Sequence, residues 1–264
     1  AFDPEAVEEH LEEMKKKRKK LKPFLIVLLL LIAALGLFTA YFFLSLPNVD
    51  YLKDQNPQTT AVIEQRKQEA QKQGKSLKIR QRWVGFNTIP ELLKNTVRVS
   101  EDVDFYSHDG VDYFELKESI KRNLKEGKKA RGGSTITQQL AKNLFLSTEK
   151  SYYRKLKEFV IAKRMEKVLS KDRIFSIYLN VIELGNGVFG VEAASEIFFN
   201  KSVNRLTLSE TLRLAAVIPK PLKVTPLSNS NYLKWRANLL LERLVKYGYI
   251  SESEYQSAKE EFKK

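Results

Sequence analysis

The sequence contains no cysteine and only two histidines, His10 and His108. The chain therefore forms no disulfide, no thiolate metal site and no cysteine nucleophile, and it cannot build a three-histidine metal site. Three familiar patterns are also absent: the G-x-x-x-x-G-K-[ST] phosphate loop, the G-x-S-x-G serine elbow and the H-E-x-x-H zinc motif. These absences exclude thiol enzymes and argue against P-loop nucleotide hydrolysis, serine-elbow hydrolysis and zinc proteolysis.

Acidic residues are comparatively few: 32 Asp and Glu against 46 Lys and Arg give a net charge of +14. Residues 1–46 account for only +1 of this charge, so residues 47–264 carry +13. A surplus of that size indicates an anionic partner such as nucleic acid, a lipid surface or a phosphorylated substrate. A basic surface that is merely solvated is the alternative.

The sequence has one long hydrophobic run, Phe24–Leu46, with no charged residue in 23 positions. As a helix it would be about 34 Å long, enough to cross a hydrocarbon core of about 30 Å. A buried core helix rarely extends this far without a polar face. A cleavable signal peptide has a shorter apolar region, about 7–15 residues, and small residues at its cleavage site. We therefore predict a single, uncleaved transmembrane helix.

Basic side chains occupy seven of the eight positions 15–22, directly before this run. Positive charge beside a single span predicts a cytoplasmic N-terminus held near acidic lipid head groups. Nucleic-acid binding by this segment is not expected. The predicted organisation is a basic cytoplasmic tail (1–23), a transmembrane anchor (24–46), a tether with a linker helix (47–77) and an extracytoplasmic folded domain (78–264).

Apolar residues recur at helical spacing through most of the folded domain and period-two alternation is rare, so we predict a mainly α fold. One short strand is expected at Lys78–Val84. Gly185–Gly190 fits the dinucleotide pattern G-x-G-x-x-G, but a predicted helix precedes it instead of a strand, which argues against nucleotide binding. Helices are predicted over Thr60–Gln73, Ile89–Leu93, Tyr113–Leu124, Thr135–Leu146, Tyr153–Leu169, Arg173–Leu184, Val191–Phe198, Ser209–Val217 and Tyr232–Tyr247.

The segment Ser100–Gly110 holds four carboxylates, one histidine and two aromatic residues. Carboxylates and a histidine beside aromatic rings suit acid–base chemistry. An ordinary helix N-terminus is the alternative, with Ser100 as its cap and the acidic residues near the positive end of the helix dipole.

Two later segments carry groups that suit an anionic or sugar ligand. A basic glycine loop at 128–133 leads into hydroxyl and amide side chains and then to Lys142. Further along, Arg154 and Glu158 are one helical turn apart. The alternatives are a flexible loop before a capped helix, and a surface ion pair of little energetic weight.

Together these segments resemble, in order, the motifs of glycosyltransferase family 51, the peptidoglycan glycosyltransferases. Glu101–Gly110 is similar to the family motif E-D-x-x-F-x-x-H-x-G, and Gly132–Leu146 matches the second motif almost letter for letter. Because little sequence follows the last motif, the chain resembles the monofunctional biosynthetic peptidoglycan transglycosylases, with a fragment of a bifunctional protein as the alternative. The other motif-like segments are Arg154–Ala162, Tyr178–Ala194 and Leu206–Pro221, and the resemblance extends from about Arg82 to about Tyr249.

The resemblance implies a lysozyme-like helical glycosyltransferase domain with a small membrane-associated jaw subdomain between about Gly110 and Gly133. It implies an inverting hexosyltransferase that polymerises lipid II into β-1,4-linked glycan and releases undecaprenyl diphosphate, at the bacterial inner membrane, in cell-wall synthesis. Expected partners are lipid II, the growing lipid-linked strand, the membrane and other cell-wall synthesis proteins, without nucleic acid. The expected cofactor is a divalent cation, Mg²⁺ or Mn²⁺, with no organic cofactor.

By resemblance Glu101 is the catalytic base, and Glu158 is a second catalytic glutamate that orients Arg154 or holds a divalent cation against the diphosphate. Lys142 and Arg154, followed by Lys155, are expected to stabilise the departing diphosphate. The other residues expected to bind substrate are Asp102, Phe105, His108, Gly110, Ser134, Thr135, Gln138, Gln139, Asn143 and Asn180.

Two other functions remain open on the sequence alone. A membrane-anchored, lysozyme-like enzyme that cleaves glycan, such as a lytic transglycosylase, would also use a glutamate, but its substrate is neutral and needs no cation cluster. A non-catalytic cell-wall scaffold would tolerate substitution of Glu101 and Glu158.

Overall fold

The computed structural model describes residues 4–126, 133–149 and 151–263, and the chain divides after Pro47 into two units. In the first unit, helix α1 (Pro4–Leu44) continues through Pro23, so the predicted basic tail is helical from Pro4 onward. The stretch Pro23–Leu44 has a mean hydropathy of 2.7 and is long and apolar enough to cross a membrane, by length and composition alone.

The second unit is mainly α-helical, which confirms the predicted fold class. The helices that the structure describes there are α2 (Ala61–Lys72), α3 (Glu91–Glu101), α4 (Tyr113–Glu126), α5 (Ile136–Phe145), α6 (Tyr152–Val168), α7 (Lys171–Val181), α8 (Val191–Phe199), α9 (Leu208–Val217), α10 (Asn231–Lys246) and α11 (Glu252–Lys263). Its short strands are β1 (Arg80–Gln81), β2 (Glu183–Gly185) and β3 (Val188–Phe189).

Most of these helices begin where a serine or threonine precedes an apolar, helix-periodic run. In each case the hydroxyl oxygen accepts the backbone N–H three residues later, which satisfies a donor that has no partner inside the helix. These caps are Thr60 for α2, Thr135 for α5, Ser151 for α6, Ser170 for α7, Thr207 for α9 and Ser230 for α10.

Two helices end more than two residues from their predicted ends, and one helix was not predicted. Helix α3 extends beyond the predicted Leu93 to Glu101, and α7 ends at Val181 because the apolar pattern continues into strand β2. Helix α11 was not predicted, since it buries only Ala258 and Phe262 and its apolar signal is weak.

The three strands form one small sheet in the order β1-β3-β2. Strand β3 pairs in parallel with β1 and antiparallel with β2, so the predicted strand at Lys78–Val84 is paired only at Arg80 and Gln81. The glycine run at 185–190 makes the β2–β3 hairpin and the start of α8. This hairpin accounts for the glycines without a nucleotide-binding loop.

Two helix groups form the core and meet at the site described below. Helix α5 packs against α6 and α7, while α3 packs against α9 and α10. The largest buried side chains include Phe105, Phe175 and Tyr178, all fully inaccessible to solvent. The end of α3 lies beside the start of α5, because the N–H of Ile136 donates to Asp102.

Gly190 is required where strand β3 turns into α8. Its φ angle is +81°, and a Cβ atom there would lie 2.6 Å from the carbonyl oxygen of Asn180. We expect Gly190→Ala to lower the free energy of unfolding by about 3 kcal/mol, because φ +81° with ψ +153° is a backbone conformation that essentially only glycine adopts, and because the added Cβ would overpack. Denaturant titration of the detergent-solubilised protein measures this loss.

Gly248→Ala is the matched control for that substitution. Gly248 has a similar φ angle of +71°, but no atom lies within 4 Å of its would-be Cβ. Only the backbone strain remains, so we expect a loss of about 1 kcal/mol. Equal losses for the two variants would contradict the close approach to Asn180.

Candidate active site

Glu101 is the last residue of α3 and lines a cavity of about 790 Å³. Its Oε1 accepts from Ser100 Oγ at 2.6 Å and lies 3.4 Å from Arg236 Nη2, while Oε2 accepts from Gln139 Nε2 at 3.1 Å. Three donors therefore hold this carboxylate, of which only 10% of the side chain is exposed. The alternative that Ser100 begins a helix is wrong, because Ser100 and Glu101 end one.

Asp102, the next residue, is buried and joins three segments of the chain. Its Oδ2 accepts the N–H of Ile136 at 2.9 Å, and its Oδ1 lies 3.0 Å from Nε2 of His108. Since His108 Nδ1 accepts the N–H of Gly110 at 3.2 Å, the ring proton is assigned to Nε2, which donates to Asp102. Both side chains thus organise the wall of the cavity, and direct contact with substrate stays a prediction.

Helix α5 begins at this point with a capping box formed by Thr135 and Gln138. Thr135 Oγ1 accepts the N–H of Gln138 at 3.1 Å and donates to the Gly110 carbonyl at 2.8 Å, and Gln138 Oε1 accepts the Thr135 N–H at 3.2 Å. Both side chains are buried, so the structure places these two predicted sugar ligands as capping residues of α5.

Gln139 connects Glu101 to the core. Tyr178 donates its hydroxyl to Gln139 Oε1 at 3.0 Å, which leaves Gln139 Nε2 to donate to Glu101. Burial, followed by the charges of Glu101 and Asp102, raises the pKa of Tyr178 well above its ordinary value. The tyrosine therefore keeps its proton, and the amide of Gln139 has one orientation.

A buried carboxylate and two cations form a cluster on helix α6. Glu158 has a side chain that is 4% exposed, and it accepts from Arg154 Nη1 at 2.6 Å and from Lys155 Nζ. Lys155 also donates to Ser134 Oγ at 2.8 Å, which ties the cluster to the residue before Thr135, the cap of α5. The predicted pair of Arg154 and Glu158 is thus formed, and it is largely buried instead of lying on the surface.

Lys142 projects toward this cluster from α5, one turn beyond Gln139. Burial lowers its pKa below the ordinary lysine value of 10.5; Arg154 and Lys155 lower it further, whereas Glu158 and Glu101 raise it. Within the described residues its ammonium forms no hydrogen bond or ion pair. Arg154, Lys155, Glu158 and Lys142, named here the basic cluster, therefore carry net positive charge beside Glu101.

Three other predicted ligands are engaged in packing. Phe105 is fully buried and stacks obliquely on Phe175. Gly110 has a φ of +89° and leaves no room for a Cβ against Glu166 and Ala162. The amide of Asn180 is fully buried and bonds to the backbone of Val84 and Ser176.

The remaining predicted features are only partly described. Asn143 is partly buried on α5. In the predicted jaw, α4 exposes Tyr113 and Phe114. Lys128, Lys129, Arg131 and Gly132 of the predicted basic glycine loop lie outside the described residues.

Sequence reasoning missed the wall of the cavity that α10 supplies. Aromatic and basic side chains of this helix line it at helical spacing, from Tyr232 to Tyr247. That spacing was the available signal, because it places Tyr232, Arg236 and Arg243 along one face of a helix. The residues of α10 and its end that line the cavity are Tyr232, Trp235, Arg236, Arg243, Lys246 and Tyr247.

No group of three or more metal-binding side chains occurs in the parts of the chain that are described. Glu158, the expected metal contact, already has both carboxylate oxygens bound by cations. The described residues therefore do not form a metal site by themselves.

A family model described as Transglycosylase matches residues 66–245, which extend from α2 to α10. The chain belongs to the transglycosylase family. The matched region of this transglycosylase contains Glu101, the basic cluster and the α10 wall as far as Arg243, while Lys246 and Tyr247 follow directly after it.

Curated relatives agree with the family match. A biosynthetic peptidoglycan transglycosylase from Nitrosomonas eutropha is 42% identical over 215 residues, covering 81% of this chain and 87% of that protein. Another, from Chromobacterium violaceum, is 39% identical over 220 residues, covering 83% and 96%. A crystal structure of Penicillin-Binding Protein 1A from Haemophilus influenzae covers 70% of this chain and 18% of its own, at 23% identity and a TM-score of 0.41, which is too low to carry an argument.

Asp102→Asn tests the contact that joins α3 to α5. Asparagine keeps one acceptor oxygen, but its NH₂ group would face either the Ile136 N–H or His108, and a buried donor would lose its partner. We expect the free energy of unfolding to fall by about 2 kcal/mol. Asp104→Asn is the control, because Asp104 is exposed and should change stability by at most about 0.5 kcal/mol. Indistinguishable denaturation curves for the two variants would argue against the contact.

Proposed function

We propose that this transglycosylase polymerises lipid II into β-1,4-linked glycan with inversion at the anomeric carbon. The observation that carries the proposal is the position of one held carboxylate beside a buried surplus of positive charge. Gln139 of α5 donates a hydrogen bond to Glu101. Lys142 lies one turn beyond Gln139 on α5, where the charges of Arg154 and Lys155 act on it. A base next to fixed cations is what transfer from a diphosphate requires.

In the proposed reaction, Glu101 accepts the proton of the acceptor's 4-hydroxyl as that oxygen attacks the anomeric carbon of the donor. The new carbon–oxygen bond forms while the bond to the lipid diphosphate breaks, and the electron pair leaves with the diphosphate. An α-linked donor thus gives a β-linked product in one displacement. No covalent enzyme intermediate is needed.

The basic cluster would stabilise the charge that develops on the departing diphosphate. Arg154 presents a planar fork suited to phosphate oxygens, whereas Lys142 and Lys155 act as point charges. Glu158 has both oxygens bound by Arg154 and Lys155, so its proposed role is to hold them in place. A divalent cation, Mg²⁺ or Mn²⁺, would then be bound chiefly by the diphosphate of the substrate itself.

The proposed location is the bacterial inner membrane, with α1 as a single-pass anchor. Basic residues before the span support a cytoplasmic N-terminus, and the second unit would then face outward, where a flipped lipid substrate is available. The exposed Tyr113 and Phe114 of α4 support contact of the jaw with the bilayer. The net charge of +13 after residue 46 suits a diphosphate substrate at an anionic surface. Other cell-wall synthesis proteins remain proposed partners.

Glu101→Gln tests the base directly. Glutamine keeps the shape of the side chain and an acceptor oxygen but cannot remove the hydroxyl proton, so we expect polymerisation to fall by at least about 100-fold. The measurement is a gel that separates the products of labelled lipid II by size, with unfolding curves to show that the variant is folded. Glu242→Gln is the control, because Glu242 is exposed on α10 and outside the cavity lining.

A ladder of products from wild type and Glu242→Gln but not from Glu101→Gln is the expected result. Polymer from the Glu101→Gln variant at the wild-type rate would exclude Glu101 as the base. If folded wild-type protein forms no polymer but releases anhydro-sugar from purified glycan, the protein is a glycan-cleaving enzyme instead.

Loss of the charge of Lys142 should make kcat/KM fall at basic pH, and the Lys142→Arg substitution should move that fall to higher pH. Its lowered pKa means that it loses its charge at a lower pH than an ordinary lysine, so diphosphate binding weakens as pH rises through that pKa. The kcat/KM profile of the free enzyme should therefore decline on the basic side below pH 10.5. Lys142→Arg stays charged and should shift this decline to higher pH, whereas Lys142→Ala should raise KM for the donor at pH values below the pKa of Lys142, where the wild-type lysine is charged. An identical basic limb in wild type and Lys142→Arg would remove Lys142 from this role.

A further inference from the structure

Two arginines of α10 bind the carboxyl-terminal end of α3, the helix that ends with Glu101. Arg236 Nη2 donates to the Ser100 carbonyl at 3.2 Å, and Arg243 Nη1 donates to the Val99 carbonyl at 2.9 Å. The last carbonyls of a helix have no acceptor role within it, and positive charge there also interacts favourably with the helix dipole. Helix α10 therefore caps α3 from more than 130 positions away in the sequence.

Arg236 differs from Arg243 because it also contacts the base. The same Nη2 atom lies 3.0 Å from Ser100 Oγ and 3.4 Å from Glu101 Oε1, and Ser100 Oγ in turn donates to Glu101 Oε1 at 2.6 Å. Arg236, Ser100 and Glu101 thus form a closed triangle. Gln139 fixes the opposite oxygen, Oε2.

Stability of the fold does not by itself explain the position of Arg236, because one of its buried donors has no partner among the described residues. Its side chain is 15% exposed, and its Nε is buried without a hydrogen-bond partner among the described residues. A buried donor without a partner destabilises a protein, because it has lost its hydrogen bonds to water. The position of Arg236 thus leaves its Nε–H without a hydrogen bond in the described part of the chain. Its bonds converge on Ser100 and Glu101.

We propose that Arg236 is a positioning residue for the base, which it holds through Glu101 Oε1 and Ser100. The inference rests on the proposed function, because positioning matters only if Glu101 takes a proton from substrate. A base must lie within hydrogen-bond reach of the hydroxyl it deprotonates, and a misplacement of about 1 Å costs about 100-fold in rate. Freed from Arg236, the Glu101 side chain would keep only Ser100 and Gln139 as partners.

The experiment compares Arg236→Gln, Arg236→Lys and Arg243→Gln in the full-length protein, with labelled lipid II as substrate. Arg236→Gln should lower kcat by about 10- to 100-fold and leave KM within about twofold, since the base is misplaced but the diphosphate site is intact. Arg236→Lys keeps a cationic donor and should recover a large part of the lost kcat. If Arg236→Gln does not fold, Arg236→Lys still tests the proposal.

Arg243→Gln separates capping of α3 from contact with the base. Both glutamine variants remove one bond to an α3 carbonyl, so both should lower the unfolding free energy, and the Arg236 variant also loses its contacts with Ser100 Oγ and Glu101. Only the Arg236 variant loses contact with Glu101, so the loss of kcat in Arg243→Gln should be at least about fivefold smaller.

Three results would overturn the inference. Equal losses of kcat in the two glutamine variants would reduce Arg236 to a helix cap, and an increase in KM with unchanged kcat would make it a substrate ligand. Unaltered kinetics in Arg236→Gln would remove any role while leaving the proposed function intact. Failure of the folded wild-type protein to form polymer would instead overturn the proposed function, and this inference with it.

Discussion

The hydrogen bond between the Ile136 N–H and the carboxylate of Asp102 is the contact on which the site depends. It joins the start of α5 to the residue that directly follows the end of α3. A carboxylate at a helix N-terminus is stabilised both by the hydrogen bond and by the helix dipole, and burial strengthens each. With this bond formed, Glu101 on one helix and Gln139 on the other line one cleft, and Lys142 lies one turn beyond Gln139, within electrostatic reach of Glu101.

Charge balance is the second constraint, and Glu158 sets it. A carboxylate this deeply buried is tolerated only if its charge is compensated, and two cations do so here. Lys142 adds a third positive charge without a described partner of its own. The surplus matches the charge of a diphosphate. A metal ion bound directly to Glu158 would first have to displace Arg154 or Lys155. In this arrangement the Glu158 carboxylate holds these two side chains in place.

Local sequence features predicted a good part of this arrangement. The helix that starts near Thr135 and the one-turn spacing of Arg154 and Glu158 depend on residues a few positions apart, and the structure contains both. The cap formed by Thr135 was the alternative to a ligand-binding role for the same segment. The role of Arg236 could not be predicted, because its contact with Glu101 spans 135 positions. The same limit applies to Ser100: its neighbours suit a helix start, and only packing of α3 on α9 and α10 makes it part of a helix end.

Resemblance to a family also cannot separate residues that contact substrate from residues that support them. Thr135, Gln138 and Asn180 belong to motif-like segments, yet their polar groups are buried and bonded to the protein's own backbone. The bonds that these groups already make fix their positions in the fold, and breaking one would leave a buried partner unsatisfied. Lys142 is the opposite case: its ammonium has charge but no described partner, and a ligand can supply one. Unmet charge, more than membership of a motif, is therefore the property from which we infer that Lys142 acts on substrate.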